Sequence, residues 1–468
     1  MPQTTDRFGG THTTSSSDAV AAFSDAVFAV LAHRAASDQL KSALDHDPDL
    51  VAAHALKGLG SVLLGKAENF QSGAKFAGVA KEALRRVSGG TATERALVEA
   101  LEFAVVGALS KAAERLERHV STHPHDLLPL KLSNALRFMC GDREIMLSVT
   151  GDALRQWKRS MPGHGFLLGL HAFGLEECGQ FDDAEDFGRR SVQEEPADSW
   201  GIHAVGHVLE MRGRTDEGIA WFEASRSVWP QCNNFAYHLA WHLALFQLEA
   251  RDYDRVLALY DAEIRPSETD DFRDMANAVS ILWRLEQEGV NVGARWQGLY
   301  EIALKRRADT HYVFASLHYL LALLAAGDDA AAAELVAAMA ASDSRGDEQS
   351  GLATDLGLDI ATVLLRLKGG PRHALHQTDH DCGVSRATLE RMLRDMPAIG
   401  GSHAQRDVFV RSLLLLTASA NDKAAFDTVS RARHSFRKQD RYDGLVRTRL
   451  MAGALEPARE LMPDHGVH

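Results

Sequence analysis

Histidines at 203 and 207 and a glutamate at 210 share one stripe of any helix that contains them, because spacings of four and seven residues return to the same face. The segment that carries them, SWGIHAVGHVLEM, is otherwise apolar and small. A second pair with the same spacing, His238 and His242, follows in YHLAWHLAL, and two adjacent glutamates, Glu176 and Glu177, precede both. Imidazole beside carboxylate is the material of acid–base catalysis or of metal ligation. In the catalytic reading His207 is a general base oriented by Glu210, while His203, His242 and Glu176 position water or substrate. His238, Glu177, Trp200 and Trp241 then form the substrate-binding wall. In the metal reading His203, His207 and Glu210 hold a divalent ion, although residue 204 is Ala and the segment is not H-E-x-x-H. No cofactor is expected, with the divalent ion at His203, His207 and Glu210 as the lesser reading, and whether the protein is an enzyme stays open. Against both stands the ordinary role of a helix histidine, a hydrogen-bonder between helices.

These residues need helices to place them, and the chain supplies a periodic series. From Asp18 onward, apolar residues recur at i, i+3, i+4 and i+7 between short Gly/Asp/Pro breaks, and no convincing strand alternation appears. Gly107, Gly141, Gly179 and Gly213 are separated by 34, 38 and 34 residues. Mostly small residues flank them at fixed offsets, and Pro124, Pro196 and Pro230 each fall 17 residues after a reference glycine. Arg251 stands at the same place in a weaker copy, and Leu320 to Val336 and Leu413 to Phe426 look like degenerate ones. A unit of this length, two antiparallel helices around a tight turn, is similar to the tetratricopeptide repeat (TPR). The expected fold is all-α, a right-handed superhelix of antiparallel helix pairs, that is, a TPR-like α-solenoid. Residues 1–17, rich in Ser, Thr and Gly, read as a disordered leader. Residues 18–468 read as one helical-repeat domain, clearest over 90–270 and degenerate over 271–460. TPR proteins bind ligands ten, six and three residues before the turn glycine, the places of His203, His207 and Glu210. Neighbouring first helices then bring Glu176, His238 and His242 to the same concave patch.

Composition narrows the classes. With 51 Lys+Arg against 64 Asp+Glu the net charge is -13, which argues against nucleic acid or an anionic membrane surface as partner. Cys140, Cys178, Cys232 and Cys382 are far apart and include no C-x-x-C, so no disulfide framework or zinc knuckle is expected. The first residues lack a secretory h-region, and the apolar runs are too short for a membrane span, so the expected location is cytoplasmic. Nucleotide-loop and serine-hydrolase motifs are missing in suitable contexts.

Five segments in order, GLEECGQFDDAE, SWGIHAVGHVLEM, YHLAWHLALF, LWRLEQEGVNVGARW and GGSHAQRDVF, resemble the tetratricopeptide repeat protein 38-like family over about residues 20 to 455. The resemblance implies a helical repeat fold and a soluble protein, and it implies no particular reaction. It draws attention to Ser402–Asp407. There Ser402 and Gln405 fit a capping box that starts a helix, leaving His403, Arg406 and Asp407 at its N-terminal end for an anionic ligand. A second His-rich stretch, with His373, His376, Asp379, His380, Asp381 and Cys382, has the composition of a metal loop without fixed spacing. Two functions remain open at this level. One is a hydrolase or related acid–base enzyme acting on a small polar metabolite in the concave pocket; the other is a scaffold that binds a peptide or protein partner in the same groove.

Overall fold

The computed structural model describes residues 2–367, 383–437 and 441–451. The His-rich stretch His373–Cys382 lies outside the described residues. The described chain is mostly helical, so the all-α expectation is met at that level. Among the described residues no helix is long and apolar enough to cross a membrane.

The leader departs from expectation. Instead of disorder, Gln3–Thr5 (β1) and Thr11–Thr13 (β2) pair as an antiparallel hairpin, the one sheet among the described residues. The hydroxyl-rich composition that suggested a solvated tail is used for internal bonding. Asp6 and His12 form a buried pair at 2.7 Å. Thr13 donates both its backbone N–H, at 2.9 Å, and its hydroxyl, at 2.7 Å, to the buried carboxylate of Glu94. Glu94 in turn closes the capping box of helix Ala92–Ala104 with Thr91. Phe8 is buried in the main core, so the hairpin is fastened by packing as well as by hydrogen bonds.

Eight helices build the site. In chain order they are α1 (Ser17–Leu31), α2 (Leu127–Cys140), α3 (His164–Glu177), α4 (Ser199–Met211), α5 (Phe235–Glu249), α6 (Phe272–Gln287), α7 (Val313–Ala325) and α8 (His403–Ser419). Local chemistry sets their starts. The side chains of Ser16, Asp198 and Asp271 each accept a backbone N–H from the first turn of α1, α4 and α6. The Ser402–Gln405 capping box opens α8 as the sequence indicates. The repeat turns also stand where the spacing places them. Gly107, Gly141, Gly179 and Gly213 take left-handed backbone with φ between 67° and 77°. In the weaker copies Arg251, Gly327 and Asn421 do the same at φ 63°, 75° and 54°. Each turn folds one helix back on the previous one, and successive helices pack as neighbours along the chain.

Elements far apart in this series meet. Near the amino-terminal side, Lys66 bonds Asp270 at 2.8 Å, Glu68 accepts from Arg306 at 2.7 Å, and Asp309 accepts the backbone N–H of Ala67 at 3.1 Å. Helix α8 packs on α6, where the fully buried Arg284 donates to the carbonyl of Ala404 at 2.7 Å, and Trp283 donates to Ser412 at 2.9 Å. The segment Met396–Ile399 lies on α2 so closely that a Cβ on Gly141 would fall 1.9 Å from the Pro397 carbonyl oxygen.

Candidate functional site

Helices α4 and α5 are apolar around most of their circumference because neighbours cover them, and in that setting their histidines stand out. The i, i+4 pair of α4 meets the i, i+4 pair of α5 through the Nε2 atoms. His203 Nε2 lies 2.9 Å from His207 Nε2 and 3.0 Å from His238 Nε2, and His238 Nε2 lies 3.2 Å from His242 Nε2. All four nitrogens fall within 4.8 Å of one another. His203, His207 and His242 are at most 1% exposed. Burial, reinforced by the neighbouring imidazoles, holds these three well below the ordinary histidine range, and burial brings His238 down to about 4. The four rings are neutral at physiological pH.

Polar groups back this cluster on its outer side. Asn277 Oδ1 lies 2.9 Å from His238 Nδ1. Glu176 Oε2 stands 3.7 Å from His207 Nδ1, and Glu210 Oε2 stands 3.5 Å from His242 Nδ1. Glu210 is also ion-paired with Arg437. Glu176 is fully buried, and neither of its oxygens has a hydrogen-bond partner. Burial, helped by the charges of Glu177 and Glu210, raises its carboxyl well above the usual range. Its neighbour Glu177 behaves oppositely: burial would raise it, but His403 and Arg406 hold it low.

The placement corrects the sequence reading in four respects. Glu210 does not stand beside His203 and His207; it sits one turn beyond, behind His242. His207, placed as general base from sequence, and His242 are buried and do not line the cavity described below, whereas His203 and His238 do. Trp241 is a core residue, fully buried, stacked on His238 and bonded through Nε1 to Ser280 at 3.0 Å. His403, Arg406 and Asp407 do not line the histidine pocket. His403 N–H donates to Glu177 Oε1 at 2.9 Å, Arg406 donates to Glu177 Oε2 at 3.1 Å, and Asp407 pairs with Arg433 at 2.6 Å. These three residues border a separate cavity of about 450 Å³ with Arg433 and Arg437.

His203 and His238 form part of the wall of a cavity of about 320 Å³, within the ~300–1,000 Å³ range of small-molecule pockets. Trp200, given a ligand-wall role from sequence, lines it too. Its other walls come from residues that the sequence reading missed. Lys131, on α2, is 8% exposed, and its ammonium donates to His33 Nε2 across 2.9 Å while lying 4.8 Å over the Trp200 ring. Burial brings Lys131 down to about 8. His33 follows α1 in left-handed backbone at φ 53°, held between the rings of Trp200 and Phe235 at 5.1 and 4.3 Å. Such a conformation costs a non-glycine residue on the order of 1–3 kcal/mol and clusters at functional sites. Burial and then the Lys131 charge keep His33 well below the normal range, so it is a neutral acceptor. Arg34 and Arg273 also border the cavity, and no aspartate or glutamate does among the described residues. Two buried donors that face it, Asn134 Nδ2 and Trp200 Nε1, have no partner.

The signal for Lys131 was present in LLPLKLSNAL as one charge inside an apolar helix; His33 carried none. No protein-family model matches the chain.

Proposed function

We propose that the protein is an enzyme that performs acid–base chemistry, of the hydrolase type, on a small anionic metabolite held in the cavity between α1, α2, α4 and α5. The fold we infer is a TPR-like right-handed superhelix like that of the tetratricopeptide repeat protein 38-like family, with the regular left-handed turns as its support. The observation that carries the functional reading is the Lys131–His33 pair in a cavity bordered by three cationic residues and no carboxylate. Arg273 is already paired with Asp271 at 2.5 Å, which leaves the Lys131 ammonium and Arg34 to meet a ligand's charge. The unpaired Asn134 and Trp200 donors suit a carboxylate or phosphate oxygen. Lys131, its pKa brought down to about 8, serves as proton donor or oxyanion partner, and neutral His33 holds the ammonium in place as its hydrogen-bond acceptor.

The alternative of a peptide-binding adaptor needs an open trough. The contacts of Glu177 with His403 and Arg406, and of Met396–Ile399 with α2, weigh against it. The test is mass spectrometry of a metabolite extract incubated with wild type and, in parallel, with folded Lys131→Met. An anionic compound consumed only by the wild type supports the proposal. Identical extracts after both incubations, with metal supplied, overturn it.

A further inference from the structure

We propose that His203, His207, His238 and His242 together bind one divalent transition-metal ion, with zinc as the ion that this donor set suits best. The proposal goes beyond the catalytic reading and does not depend on it.

Proton counting gives the first argument. A neutral imidazole carries one proton on one of its two nitrogens. The Nδ1 atoms of His207, His238 and His242 face Glu176, Asn277 and Glu210, all oxygen acceptors. A proton on each of these Nδ1 atoms leaves the three Nε2 atoms bare. Bare Nε2 lone pairs would then crowd against one another and against His203 at 2.9–3.2 Å. Reversing the tautomers does not help. Each Nε2–H can serve only one acceptor well, and His203 and His238 each take part in two of the three contacts. A cation at the centre removes the conflict, since it accepts all four lone pairs at once.

Geometry gives the second. Zinc–imidazole bonds of ~2.0–2.1 Å in a tetrahedron separate the nitrogens by about 3.3 Å. Three of the nitrogen contacts, at 2.9–3.2 Å, lie just inside that spacing, and all four nitrogens fall within 4.8 Å of one another, so small ring movements bring them to it. Behind the rings the Glu176 and Glu210 oxygens stand 3.7 and 3.5 Å from the Nδ1 atoms of His207 and His242. The carboxylate–histidine–metal arrangement that results is the usual support of a metal-bound imidazole.

The third argument is the orphaned carboxyl of Glu176. It is fully buried with both oxygens unpartnered, which is costly for a group that serves packing alone. A dipositive centre one imidazole away gives it a charge to balance. Four neutral imidazoles suit zinc, copper, nickel or iron far better than magnesium or calcium. Four protein nitrogens also complete a tetrahedron, so the ion holds α4 to α5 at the cavity floor.

The test is a metal titration of the intact chain after chelator treatment, with the helical circular dichroism signal checked throughout. Cobalt(II) is expected to bind one ion per chain with the intense visible bands of tetrahedral coordination, and zinc to displace it. His207→Ala should lose the bands. Glu176→Gln, which keeps the four ligands, should retain them with roughly 10–100-fold weaker affinity. If folded wild type binds no stoichiometric ion, or shows only the pale spectrum of six-coordinate cobalt, the site is not a metal centre. An unchanged spectrum in folded His207→Ala also overturns the proposal. Turnover by the cavity is not the readout, so failure here leaves the metabolite proposal standing, and the reverse holds.

Discussion

The Lys131 ammonium donates to His33 Nε2 across 2.9 Å, joining a helix interior to a left-handed residue 98 positions earlier. Burial makes Lys131 a charge held at the expense of stability. Its folded pKa of about 8 lies below the free-lysine value, so the penalty is fully present below pH 8 and is relieved as pH rises toward ~10.4. Lys131→Met should therefore stabilise the fold at pH 7, by on the order of 2–3 kcal/mol, while abolishing anion binding. Thermal melts at pH 7 and pH 10 check this: the two proteins should converge at the higher pH. Arg34, Arg273, His33, His203, His238 and the nearby Asp198 surround the lysine and set the baseline that the comparison cancels.

Glu177 ties the end of α3 to the start of α8. Glu177→Gln keeps the acceptor for His403 N–H but leaves Arg406 buried without its counter-charge. A loss of about 3–5 kcal/mol is expected. The double variant Glu177→Gln/Arg406→Met should recover most of it, and denaturant unfolding of the four proteins in the cycle measures the coupling.

Asp407 gives an acid-side prediction. Burial works against its ionised form, but Arg433 foremost, with Arg437 and Arg284, holds its pKa far below the usual carboxylate range. Its contribution is thus fully present above the unfolded value of ~3.9 and fades as pH falls toward the folded one. Unfolding free energy measured from pH 6 to pH 3 should drop less steeply for Asp407→Asn than for wild type, with the variant less stable at pH 6.

Two repeat glycines separate backbone strain from steric contact. Gly179 has φ 77° with nothing near a would-be Cβ, so Gly179→Ala should cost ~1–2 kcal/mol. Gly141 has a similar φ of 74°, but its Cβ would meet Pro397 O at 1.9 Å. Gly141→Ala should cost clearly more, and should loosen Met396–Ile399 from α2 in hydrogen exchange.

The sequence legibly contained the helix series and its turns, because a left-handed helix end favours glycine and the spacing repeats. It also contained the four histidines, since i, i+4 pairs on adjacent helices meet whenever their faces do. It did not contain the level along the helix axis at which each residue meets its neighbour. Glu210 shares the stripe of His203 and His207 yet lies a turn past the cluster. His33 was hidden because its role comes from an irregular turn between Trp200 and Phe235, which lie far along the chain. The leader was misread because Thr and Ser mark both solvated tails and strands, and only the buried partners Glu94 and Asp6 decide which.

The walls of the cavity run from Val30 to Gln405 in the sequence. During synthesis, then, the pocket does not exist until nearly the whole chain has emerged from the ribosome, and a fragment that stops before α8 lacks one side of it. A ligand bound there would touch the Val30 and Gln405 sides of the wall together, and so would report only on molecules in which both have folded into place.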